Sequence, residues 1–245
     1  MSTQAIKLNI YQETANYRVP VSFGFRESYP LPAYSTVIGM IHSLCDFHEY
    51  HPMKISVQGS YASTTFDLFT RYEFNKGQKW SESRNQLNVG GFGVTRGVGN
   101  VQLLVDVNLT IHIVPDNQDD LDIIYHALRH PREFVSLGRR EDIAKVNTKL
   151  VTLDTKMLDQ DYTVKQSVYL PRMQINDDFS FDTENDTGQR GTFYDLNKNY
   201  DLVQTRNKYF ERKWHKVQAL YVSDFTLLCD GEFVFDSENE PVFLA

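Results

Sequence analysis

Cysteine is nearly absent: Cys45 and Cys229 are the only two, they lie far apart, and neither belongs to a C-x-x-C pair. That excludes a disulfide framework and a thiolate zinc site, and leaves two thiols best read as buried. No apolar run approaches the eighteen or so residues that a membrane-crossing helix needs. The opening MSTQAIKLNIYQETANYRVP lacks a cationic start followed by an apolar core and a small-residue cleavage site. We therefore expect an unanchored, cytoplasmic chain. Nucleotide-binding signatures are missing too. The glycines at 90–99 do not fit G-x-G-x-x-G, since position 96 is arginine, and no G-x-x-x-x-G-K-[ST] occurs, so no nucleotide-hydrolysing site and no cofactor is expected.

What is present is an acidic chain of 245 residues, 41% hydrophobic and 13% aromatic, which is enough apolar material for a substantial core. Its 25 Lys and Arg against 32 Asp and Glu give a net charge of −7, but the charge is unevenly spread. Residues 71–100 are +3 through Arg71, Lys76, Lys79, Arg84 and Arg96; residues 129–149 are also +3, and residues 206–216 are +4. The acids collect elsewhere, at Asp106–Asp122, Asp177–Asp186 and Asp224–Glu240. Local basic surface decides polyanion binding, so a nucleic-acid partner remains open while indiscriminate binding does not.

Alternating apolar and polar residues in AIKLNIY predict a strand over 5–11. After Pro30 and Pro32, Ser35 or Thr36 can cap a helix on which Val37, Met40, Ile41, Leu44 and Phe47 recur at helical spacing. Residues 53–62 and 64–74 read as paired strands, the glycine clusters lead into a long strand over 101–114, and Asp119 to Arg129 has helical spacing with acids first and bases last. A strand at KVNTKLVTL follows. This order is the split βαβ arrangement called ferredoxin-like, or RRM-like. We expect an α+β fold: a ferredoxin-like domain over 1–153 with a β-hairpin inserted at about 75–100, then a small β-rich lobe over 154–245.

Several residues carry candidate chemistry. The glycine-rich insertion reads as a hairpin in which Lys79, Trp80, Arg84 and Arg96 offer charge and stacking surface, although a solvated hairpin without function has the same composition. A helix start at Ser35 and Thr36 favours phosphate, with Arg18 and Arg26 in the preceding loop. Arg139 and Arg140 stand beside a glycine turn and suit backbone or base contacts. His48 and His51 have a metal-like spacing but no acidic or thiol cluster beside them, so no metal is expected. His42 with Tyr29 and Tyr34 would be one route to metal-independent RNA cleavage, which needs a base, an acid and a cation.

YPLPAYSTVIGMIHSL at 29–44 and FVSLGRREDI at 134–143 resemble two recurrent segments of the CRISPR-associated Cas-five family: a proline-led helix start running into an apolar helix, and a glycine-arginine turn ending in acids. The resemblance spans roughly residues 5–150 and is closest to the type I-B branch. It implies a subunit of the Cascade surveillance complex, with an RNA-binding ferredoxin-like core and a protruding thumb. Such subunits hold the 5′ handle of the CRISPR RNA, cap a backbone of Cas-seven subunits, and contact the large subunit, reaching target DNA through the complex. Carried over by position, the thumb residues are Lys76, Lys79, Trp80, Arg84 and Arg96, and the handle residues are Arg18, Ser35, Thr36, Arg139 and Arg140. Type I-C relatives cleave precursor RNA with a tyrosine, a lysine and a histidine. Here His112 follows Ile111 and the two residue types are adjacent only in the reverse order, at His215-Lys216, so a non-catalytic subunit is expected, with an endoribonuclease as the alternative.

Overall fold

The structure is a computed structural model and describes residues 3–22, 24–181, 191–205 and 209–245, apart from the side chain of Lys76. In chain order the elements are β1 (Thr3–Ala15), β2 (Phe25–Arg26), α1 (Tyr34–Cys45), β3 (Met53–Ser60), β4 (Ser63–Lys79), β5 (Leu87–Val89), β6 (Phe92–Pro115), α2 (Asp119–Arg129) and β7 (Lys145–Met157). There follow β8 (Tyr162–Val164), β9 (Ser167–Pro171), a 3-10 turn (Arg172–Gln174), β10 (Phe179–Ser180), β11 (Thr192–Gln204), β12 (Phe210–Val222), β13 (Phe225–Leu227) and β14 (Glu232–Asp236).

The main sheet runs β11-β12-β9-β3-β6-β1-β7-β14. At its centre β3, β6, β1 and β7 lie side by side and antiparallel, with α1 connecting β1 towards β3 and α2 joining β6 to β7. Alternation explains the layering. Ile6, Leu8 and Ile10 of β1, Ile55 and Val57 of β3, and Leu109, Ile111 and Ile113 of β6 turn one way and are buried with Val37, Ile41 and Leu44 of α1 and Leu121, Ile124 and Leu128 of α2.

The opposite face of the sheet is covered over much of its area. The C-terminal residues cross it: the Phe243 N–H donates to Ser56 Oγ at 3.0 Å and the Gln58 side-chain amide donates to the Pro241 carbonyl. Beneath them Lys7 and His112, cross-strand partners on β1 and β6, are fully buried around Asp236. Lys7 Nζ lies 2.7 Å and His112 Nε2 3.0 Å from Asp236 Oδ2, and Glu238 and Glu240 ring Lys7 at 2.8 and 3.1 Å. A shallow depression between Asn9, Tyr11, Asn108, Lys145, Asn147 and Gln166 stays open on this face.

Three expectations are corrected. Residues 53–62 and 64–74 are strands but do not pair with one another: β3 and β4 follow end to end along β6, with Ser60 opposite Asn108 and Ser63 opposite Val105. The long β6 offers both an unbroken partner, which a short turn at 61–62 lets the chain use in series. The cap of α1 is Ala33, without a side-chain hydrogen bond, so Ser35 and Thr36 lie inside the first turn. Tyr34, fully buried and packed on Tyr169 at 6.2 Å between ring centroids, sets where the helix begins, so packing outweighs cap preference. Cys45 is half-buried and its thiol is pushed up to about 11 by that burial, but Cys229 is exposed in the turn before β14.

Residues 154–245 distribute between two sheets. β9, β11, β12 and β14 extend the main sheet, and β10, β13 and β8 form a three-stranded one over a cluster of Phe225, Phe233, Phe235 and Phe243. The inserted hairpin begins well before residue 75: β4 and β6 pair from Ser63 opposite Val105 outward to Lys79 opposite Phe92. Its tip includes a two-residue Gly90-Gly91 turn between Val89 and Phe92, where φ of +59° and +85° suits the twist of a tight hairpin and demands glycine.

Candidate nucleic-acid interface

The long ribbon of β4 and β6 has two different faces, set by register. Phe66, Leu68, Tyr72 and Phe74 share one with Val94, Arg96 and Val98. Phe74 and Val98 are 74% and 72% exposed there, so this face presents apolar and aromatic surface with Arg96 beside Tyr72. The other carries Phe69 and Arg71 opposite Gly99 and Gly97. A Cβ on Gly99 would meet the Phe69 ring at 2.7 Å, and Arg26 from β2 lays its guanidinium 3.6 Å from that ring's centroid. Here glycine makes room for a ring, and the ring seats an arginine; no phosphate cradle is formed by the glycines themselves.

Arg26 is the centre of a basic cluster at the root of the ribbon. Its pKa is lowered, first by burial and then by the charges of Arg18, Arg139 and Arg71, with Glu141 opposing. Arg71 is paired with Glu73 through Nη2 at 2.6 Å, yet its Nε is buried without a partner among the described residues. Arginines that raise one another's electrostatic cost are relieved by an anion, and a planar fork with a free N–H suits a phosphate oxygen. Arg18 is exposed, and its guanidinium donates to the Ser22 carbonyl at 3.4 Å.

The two arginines of the 134–143 segment part company. Arg139 grips Asp142 through Nε at 3.1 Å and Nη2 at 2.7 Å, and its guanidinium also meets Glu141 at 3.1 Å. The buried Asp142 carboxylate further accepts the N–H groups of Asn16 and Arg139 at 2.9 and 2.8 Å. Gly138, at φ +109°, brings its backbone so near that a Cβ would lie 2.8 Å from the Asn16 carbonyl. The motif is therefore foremost a clasp that fastens this turn to the end of β1, and Arg139 is a positioning residue. Arg140 is different: its side chain is 91% exposed, with Glu133 at 3.6 Å. It borders a groove of about 1180 Å³ between α1 and the 131–146 segment that Ser35, Thr36 and Gly138 also line.

The predicted residues thus gather in three places: Ser35, Thr36 and Arg140 on the groove, Arg18 and Arg139 at the root cluster, and Lys79, Trp80, Arg84 and Arg96 along the outer ribbon, all four exposed. The side chain of Lys76 lies outside the described residues. In the sequence Arg26 stands out only as a cation in the loop before α1, and Arg71 only as part of a basic segment; the Phe69 seat that assembles them depends on cross-strand register.

His42, Tyr29 and Tyr34 each have other close neighbours. The aromatic neighbours of His42 are Phe47, Tyr50 and His51, and burial lowers its pKa. Tyr29 packs edge-on against Tyr194, and Tyr34 is buried against Tyr169, its hydroxyl pushed well above its ordinary range by burial. His51 stacks on Phe47 and bonds Asp120 at 2.9 Å. Among the described residues no group of three or more His, Cys, Asp or Glu is arranged to hold a metal ion, and no helix is long and apolar enough to cross a membrane.

The structure is thus a mostly antiparallel α+β sheet with a long aromatic ribbon of β4 and β6 that has arginines at its root. Residues 5–218 match the family model described as CRISPR-associated protein (Cas_Cas5), and the chain belongs to that family. Among solved structures, a chain of a CRISPR RNA-guided surveillance complex superposes with a TM-score of 0.55 at 16% identity, covering 90% of each chain, and so shares the fold. A CRISPR protein from Archaeoglobus fulgidus gives 0.45 at 11% identity over 99% of both chains, and a chain of a Type III-B Cmr-beta complex bound to cognate target RNA gives 0.43 at 11%, covering 90% of this chain and 85% of that one. No functionally curated protein matches the chain.

Proposed function

We propose that the protein is a non-catalytic subunit of a type I surveillance complex, of the I-B kind, which holds the 5′ handle of the CRISPR RNA and caps one end of a backbone of Cas-seven subunits. We read β1, α1, β3, β6, α2 and β7 as a ferredoxin-like core and the β4 and β6 ribbon as its thumb. The reading is carried by the arginine cluster at the thumb's root, where Arg26 lies on Phe69 under the charges of Arg18, Arg139 and Arg71, and where among the described residues the Arg71 Nε has no hydrogen-bond partner. Arg18 and Arg140 extend the basic track, and the exposed aromatics offer surface to bases or to neighbouring subunits. The large subunit and, through the complex, target DNA are its further partners, in the cytoplasm.

The non-catalytic part is supported by the dispersal of His42, Tyr29 and Tyr34 and by the burial of His112. Incubating the full chain with labelled repeat RNA in EDTA, against a scrambled RNA, tests both parts. We expect a specific gel shift without cleavage, weakened about tenfold by R26A/R71A, in keeping with the loss of two charge-assisted phosphate contacts. Metal-independent cleavage abolished by His42→Ala would instead make the protein an endoribonuclease. An unchanged shift with R26A/R71A would remove the root cluster from the site.

A further inference from the structure

A second ribbon lies at the far edge of the sheet, where β11 and β12 pair from Thr192 opposite Tyr221 to Gln204 opposite Phe210, with a register shift between Asn197 and Asn199. Its register puts Trp214 opposite Tyr200 and Arg212 opposite Leu202, and the two-residue repeat of β12 carries Lys216 and Gln218 onto the same face. Tyr200 and Trp214 meet edge to face at 5.0 Å, and the Arg212 guanidinium lies 4.5 Å from the Tyr200 ring and 5.9 Å from the Trp214 ring. Nearer the sheet, Arg172 donates to Gln218 at 2.5 Å and sits 5.7 Å from the ring of Phe193, which is 51% exposed. Arg172, Arg212 and Lys216 form no ion pair among the described residues, and the one carboxylate on this face, Asp195, is held by Gln218 at 3.4 Å.

We infer that this face is a second nucleic-acid-binding surface, taking a single strand without regard to sequence. Charge complementarity selects the occupant: in a chain of net charge −7, unpaired cations here alternate with aromatic rings along an extended strand. Unstacked bases lie on such rings while the phosphates track the cations, and every base offers a π-face, so no sequence is demanded. From Gln218 to Phe210 the face runs about 27 Å, room for roughly four nucleotides, the low end for a stacking groove. In the sheet β9 and β3 separate this ribbon from β6 and the thumb, and the inference does not depend on the handle reading.

The chain has two tryptophans, Trp80 on the thumb and Trp214 here, so each surface has its own reporter. In W80F the emission of Trp214 is followed while 20-residue oligo(dT) or oligo(U) is added. We expect saturable quenching that weakens with salt, and an affinity loss on the order of tenfold or more in R212E/K216E with an unchanged circular-dichroism melt. Oligo(dT) and oligo(U) compared tell displaced DNA from RNA as the source of the strand. Silence at Trp214 overturns the inference whatever Trp80 does in W214F, and a Trp80 response alone would leave the thumb reading standing. Self-association of the chain through this ribbon, read by sedimentation without any oligonucleotide response, would make it a protein interface and likewise overturn the inference.

Discussion

At the scale of single residues, neighbours in sequence hold opposite roles. Arg139 and Arg140 look equivalent in a basic turn, yet one is locked to a buried carboxylate and the other projects into solvent. Removing Arg139 leaves Asp142 buried with two backbone donors and no countercharge, so Arg139→Ala should lower folding stability by about 2–3 kcal/mol, read as a shifted urea midpoint. Arg140→Ala should stay within about 0.5 kcal/mol of the parent while weakening RNA retention. Equal midpoints for the two variants would contradict the clasp. A glycine-arginine motif that resembles a binding signature can thus be a fastening first, with its second arginine left to meet a ligand.

At the scale of elements, β4 and β6 form a ribbon whose chemistry comes from what its small residues allow. Gly99 leaves space for Phe69, and Phe69 carries Arg26 in from β2, an element of only two residues that pairs parallel with β6 at Asn100 and Val101. Gly99→Ala would put a methyl group 2.7 Å from the ring, so the ring must move and the guanidinium loses its seat. We expect RNA retention to fall several-fold with the core's melting within about 0.5 kcal/mol of the parent, since the ribbon stands outside the main cluster. A gel shift and a thermal melt on the same preparation check this; intact binding would show that Arg26 does not act through Phe69. The β11 and β12 ribbon was harder to foresee, because TFYDLNKNYDLVQ is rich in Asn and Asp, which favour turns, and its strand character rests on its partner.

At the scale of the whole molecule, the Lys7, His112 and Asp236 network ties the first strand to the last and seals the sheet face opposite the helices. Burial alone would push the Asp236 carboxyl up, but hydrogen bonds from His112 and Lys7 hold it well below the usual carboxylate range. Its stabilisation is therefore full above the ordinary value of 3.8 and is lost as the pH falls below it. Burial opposes the charge of Lys7 as well, and its three carboxylate partners outweigh that and raise it, so its contribution is full below 10.5 and lost only at more alkaline pH. Lys7→Met should cost about 3 kcal/mol at neutral pH by stranding a buried charge. Asp236→Asn should flatten the acid limb of the urea midpoint between about pH 4 and 2; an unaltered limb would discount the network. The sequence by itself determined the order of the central elements, since period-2 and helical spacings are local, and the positions of the basic segments. Tertiary structure alone decided that β3 and β4 share β6 in series, that the C-terminal residues close one face of the sheet, and that Arg26 meets Arg18, Arg71 and Arg139 in one basic cluster. The physical reason is common to all three: strand partners, burial and the meeting of charges are set by residues far apart in the chain, and no local pattern encodes which of them will touch.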